Sequence, residues 1–233
     1  MFRNTFFVLI VSILLFGCLP SLGPNLKPGI ELSNRGKKKS ALTYYESQLV
    51  QYPSDKQLFS YLTTTSLEAH DVEKAKGYFR QAIELGVAEN ELSEMCLNIS
   101  LKKLDYAMGK DNWDEAKMWS IYLNREFEDS NESKYATIMM TAYGEMNKGG
   151  HKQLWESIAD FAKASAYSKN SGIPYYMMAK ARLKLSKTDL EPAILDMTKA
   201  KTIEPNGAFI KDLNADLKLV NERKKKMEAF WGK

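Results

Sequence analysis

The sequence predicts an all-α chain built from antiparallel helix pairs, and three observations carry that prediction. Residues 54–173 contain no proline and are rich in Ala, Leu, Met, Lys and Glu, the residues helices favour. Apolar side chains recur at three- and four-residue spacing: Leu58, Tyr61, Leu62 and Thr65 form one stripe, and Ala75, Tyr78, Phe79, Ala82 and Ile83 another. The pattern also repeats at long range. Ala41 and Ala75 lie 34 residues apart, as do Tyr45 and Phe79, and both Ala41 and Ala193 are followed at +12 by a proline, Pro53 and Pro205. No segment shows the alternation bounded by turns that marks a strand.

Composition sets the outer limits. A chain of 233 residues with 44% hydrophobic and 27% charged residues can bury a core and is no disordered polymer. With 33 basic and 29 acidic residues the net charge is +4, too even a balance to point to nucleic acid, which is not expected as a partner. Two cysteines exclude a disulfide scaffold.

Residues 1–17 have the layout of a secretory signal, with Arg3 in a short leading region and an uncharged apolar run over 5–16. At 1.5 Å per residue that run reaches roughly 18 Å, short of the ~30 Å hydrocarbon core, so it is not expected to span a bilayer. Leu15-Phe16-Gly17-Cys18 follows, and resembles the lipobox of bacterial lipoproteins. The resemblance implies that Cys18 carries lipid and that the chain is cut before it; Phe16 is bulkier than the family's usual residue there. Leu19 after the cysteine implies sorting to the outer membrane, on its periplasmic face. Cys96 is then the only free thiol, expected in an apolar helical setting as a small core residue. Residues 18–36 hold Pro20, Pro24 and Pro28 with Gly23, and are expected to form a tether.

Residues 37–206 carry the repeats. Residues 40–52 look like the second helix of a partial unit. Residues 56–89 make a complete one, with Asp71 as the expected N-cap of its second helix and Gly86 as its stop. A third unit contains Asn112-Trp113-Asp114-Glu115-Ala116 at its inter-helix turn, and its first helix, near 92–108, has Lys103 where the pattern wants an apolar residue. Residues 131–169 form the next unit, with a lengthened loop expected at Gly149-Gly150. Residues 172–205 form the last, with Ala193, Met197 and Ala200, and 207–233 are expected to cap the array with a helix.

This arrangement resembles the tetratricopeptide repeat, a helix hairpin of about 34 residues with a small residue at each close approach and an aromatic four positions on. The resemblance implies a right-handed superhelical solenoid whose first helices line a concave groove. Placed on this chain, it implies a partner-binding surface of Tyr61, Thr64, Glu68, Lys102, Asp105, Met140, Tyr143, Tyr176, Met177 and Lys180. The tyrosines suit recognition, with large area and a polar tip; helix-on-helix packing is the competing role.

No enzymatic constellation is visible. The sequence lacks GxxxxGK[ST], GxGxxG, HExxH, GxSxG and CxxC. His70 and His151 are far apart in sequence, each near an expected turn, and no metal or cofactor site is expected. Two basic runs, Arg35 with Lys37, Lys38 and Lys39, and Arg223 through Lys226, are either hydrated helix faces or contacts to anionic lipid. The reading favoured is a lipid-anchored scaffold or adaptor that holds an envelope protein or peptide in the groove. The alternative is an accessory lipoprotein that binds a small apolar ligand or partners a periplasmic solute transporter; an enclosed apolar pocket would distinguish it.

Overall fold

The computed structural model describes residues 23–232, and over them it forms eleven α-helices and no strand. The lipobox-like segment and Cys18 lie outside the described residues. Among the described residues no helix is long and apolar enough to cross a membrane. Two compact units make up the chain, one reaching to Glu89 and the other starting at Asn90.

In the first unit the helices are α1 (Lys27–Asn34), α2 (Lys38–Gln48), α3 (Lys56–Glu68) and α4 (Val72–Glu84), each packed on the next. Their ends are set by side chains that satisfy free backbone N–H groups. Asp55 accepts from the Leu58 amide at 2.8 Å, and Asp71 accepts from the Lys74 amide at 3.1 Å. Gly86 stops α4 as expected: its φ of +86° lets Val87 N–H reach back to Ala82 and its own N–H to Ile83. The small residues of the repeat register, Ala41, Ala75 and Ala82, are all buried at helix-helix contacts.

Helix α1 departs from expectation, because its sequence reads as tether. Pro28 sits in its first turn, where the missing N–H costs nothing. Gly29 is buried, and a Cβ there would come 2.3 Å from the Tyr45 ring. The glycine that suggests flexibility instead permits close packing.

The second unit holds α5 (Glu89–Gly109), α6 (Trp113–Glu126), α7 (Asn131–Lys148), α8 (His151–Tyr167), α9 (Ile173–Leu185), α10 (Glu191–Ile203) and α11 (Ile210–Trp231). From α6 onward consecutive helices pack together across short connections, which makes them antiparallel neighbours. Leu104, Ala107, Ala116, Trp119, Leu123, Phe161, Ala193, Met197 and Ala200 fill the core. Cys96 joins them, its thiol pushed up to about 12 by burial. The extra residues in 131–169 lengthen α7 and α8 to 18 and 17 residues rather than lengthening the loop. Only Gly149 and Gly150 connect them, Gly149 at φ +74°.

Candidate functional site

The site begins with how α5 ends. Gly109, its last residue, is buried, and a Cβ there would lie 2.9 Å from Phe209 Cβ and 3.1 Å from Ile173 Cδ1. The end of α5 therefore meets both the start of α9 and the residue preceding α11. Lys110 pairs with Asp212 at 2.8 Å, and Lys180 with Asp111 at 2.8 Å, across the same region. Helices that a simple groove would keep apart converge here.

That convergence corrects part of the expected binding surface. Tyr176 and Met177 are core residues, 1% and 0% exposed. The Tyr176 ring stacks on Phe209 with centroids 5.5 Å apart, and its hydroxyl donates to Asp216 at 2.7 Å. Burial, then the bond to Asp216, holds that phenol well above the usual tyrosine range. Lys180 Nζ lies 4.8 Å from the centre of the same ring.

Tyr61, Thr64 and Glu68 belong to the first unit. The Tyr61 ring is 5.4 Å from that of Tyr45. Thr64 donates to the carbonyl of Ser60 in its own helix. Glu68 accepts from Lys38 at 2.7 Å and from Ser33 at 3.1 Å, tying α3 to α2 and α1. All three are half-buried.

Two expected residues, Tyr143 and Lys180, do meet. They line a recess of about 510 Å3 between α7, α9 and α11. Its apolar wall is Met146, Leu183, Leu219 and Val220, and its rim carries Asp111, Asn147, Lys180, Lys184 and Asp216. The Tyr143 ring lies nearly parallel to that of Trp113. Leu219 is 63% exposed, a large apolar side chain left to solvent beside the recess. Sequence reasoning missed Leu219 and Val220, because α11 was expected only to cap, and it missed Leu183 on α9 as well.

Lys102 and Asp105 line a second cavity of about 390 Å3, with Glu132, Ser171 and Glu204. Asp105 shows part of its surface to this cavity, while its carboxyl is packed among protein atoms. It accepts from Tyr135 at 2.6 Å, and Tyr135 in turn meets Ser171 at 3.4 Å. Burial pushes the Asp105 carboxyl up to about 7, against the hydrogen bonds that favour its charge. Met140 is half-buried on α7 and lines neither cavity. His70 sits in the α3–α4 turn at φ +66°, and His151 starts α8. Among the described residues no group of three or more His, Cys, Asp or Glu could hold a metal ion.

No family model matches the chain, and no curated protein matches it. Among solved structures, it is similar to YrrB, described as a TPR protein with an unusual peptide-binding site. The two are 18% identical over 80% of this chain and 88% of that one, with a TM-score of 0.35.

Proposed function

We propose that the protein is a membrane-tethered helical-repeat adaptor that seats an apolar side chain of a partner peptide in the recess between α7, α9 and α11. The observation that carries this reading is the recess itself. An apolar wall surrounded by fixed charges is how a peptide anchor is desolvated while its backbone and flanking residues are held in register. The rim mixes Lys180 and Lys184 with Asp111 and Asp216, so it favours polar flanks over a strongly acidic or basic partner. The same rim argues against the small apolar ligand, which calls for an enclosed pocket. Tethering rests on the sequence: lipid on Cys18 would place the adaptor at the cell envelope, and two or three acyl chains would anchor it stably, at ~0.8 kcal/mol per buried CH₂.

A displayed peptide library panned against the purified chain tests the recess. Selected peptides should share one large apolar residue and lose binding to Leu219→Lys and Tyr143→Ala chains whose thermal melts are unchanged. Peptides that bind both variants as well as the parent would refute the reading. Intact-mass analysis of protein extracted from bacterial membranes tests the tether. Loss of residues 1–17 with added acyl mass is expected, and an unmodified Cys18 would refute it.

A further inference from the structure

The last turns of α11 present a second surface, beside the packed side of the helix. Val220 is buried, Met227 lines a recess with Thr188 and Leu190, and Lys224 is bonded to Glu191 and approaches Glu228. These residues hold the helix to the unit. Arg223, Lys226 and Phe230, spaced i, i+3 and i+7, share another face, while Trp231 lies nearer the packed side and lines the same recess as Met227. Phe230 is 80% exposed and Trp231 71% exposed, their rings edge-to-face at 5.2 Å. Arg223, Lys225 and Lys226 are exposed, and among the described residues none of them makes an ion pair.

We propose that this face of α11 binds the surface of an anionic lipid bilayer, with Arg223 and Lys226 at the phosphates and Phe230 at the boundary of headgroup and acyl chain. Residues 222–228 carry four cations against Glu222 and Glu228, and Glu228 is turned toward Lys224. The positive charge of Arg223 and Lys226 therefore lies beside the Phe230 ring. That pairing suits a bilayer, where long basic side chains reach the phosphates and aromatic rings settle at the interface. It suits a protein partner less well. An aromatic anchor in a protein interface needs a ring of neighbours to exclude water, and Phe230, 80% exposed, is flanked by Trp231 alone among the rings of the described residues. The inference rests on the proposed tether only in that the tether brings α11 within reach of a membrane.

The test uses the full chain carrying Cys18→Ser, so that no acyl group contributes. Partition is measured onto vesicles of phosphatidylcholine alone and of phosphatidylcholine mixed equally with phosphatidylglycerol. Binding should favour the anionic vesicles and weaken with salt. Each cation near the surface contributes a factor of about five, so R223S/K226S should bind about 25-fold more weakly. Phe230→Ser should weaken binding several-fold, and the charge-keeping R223K/K226R should retain it. The apolar run at 5–16 is common to every variant and cancels in the ratio. Equal binding to both vesicles, or anionic binding unchanged in R223S/K226S, would overturn the proposal. So would loss of an acidic protein partner in R223S/K226S with vesicle binding intact. An unmodified Cys18 would remove the tether and leave this result standing, so the two failures are distinguishable.

Discussion

Replacing Gly109 with alanine should destabilise the second unit, although alanine is the better helix former. Inside a helix the exchange gains at most about 1 kcal/mol from propensity. At Gly109 the new methyl would stand 2.9 Å from Phe209 Cβ, 3.1 Å from Ile173 Cδ1 and 3.6 Å from Phe209 Cα. Two of those atoms belong to or adjoin the backbone, so relief requires shifting α5 against the start of α11. Overpacking of this kind costs about 1–3 kcal/mol, which against that gain leaves a net loss of up to about 2 kcal/mol. Gly144, in α7 of the same unit, is the control. It is exposed with nothing within 4 Å of its Cβ position, so Gly144→Ala should stabilise by about 0.5–1 kcal/mol. Urea titrations of both variants should move the midpoint in opposite directions with little change in slope. A Gly109→Ala chain stabilised as much as Gly144→Ala would show that α5 does not close on α9 and α11.

Three further outcomes are expected. Gly29→Ala should destabilise by about 1–3 kcal/mol in chemical denaturation, because its Cβ would strike the Tyr45 ring; an unchanged midpoint would return α1 to the status of a tether. Asp105→Asn should raise stability above pH 7 and flatten its pH dependence. The folded carboxyl titrates near 7 and the unfolded one near 3.8, so the native state holds the extra proton between them and stability falls as pH rises through that window. Thermal melts from pH 4 to 8 read the difference, about 2–4 kcal/mol at the alkaline end, and parallel curves would refute the burial argument. Ala75→Leu and Ala193→Leu should each cost about 1–3 kcal/mol, since both alanines are at most 1% exposed, and undiminished melting temperatures in both would refute the repeat register.

What the sequence made legible is local. Asp71 as a cap, Gly86 as a stop and the alanines at close approaches all follow from rules that act within one or two helical turns, and all are found. What it hid depends on contacts between distant segments. Three prolines made residues 18–36 read as a tether, although Pro28 in a first turn is compatible with a helix, and only Tyr45, sixteen positions after Gly29, reveals what that glycine is for. Tyr176 and Met177 stand where first-helix residues face an open groove. Phe209 stacks on Tyr176 and Asp216 accepts from its hydroxyl, so that ring is core instead, and Met177 is buried with it. Tyr143 and Lys180 line one recess, and part of its apolar wall, Leu219 and Val220, comes from a helix expected only to cap.

The central claim is that the recess between α7, α9 and α11 receives the partner. Methyl-labelled methionine NMR during titration with a library-selected peptide addresses it most directly. Met146 lines the recess, Met227 lines the one beside Thr188, and Met95 is 49% exposed on α5 and lines neither. The account predicts a saturable shift of the Met146 methyl, with Met227 and Met95 unmoved. Shifts at Met227 or Met95 with Met146 silent would contradict it.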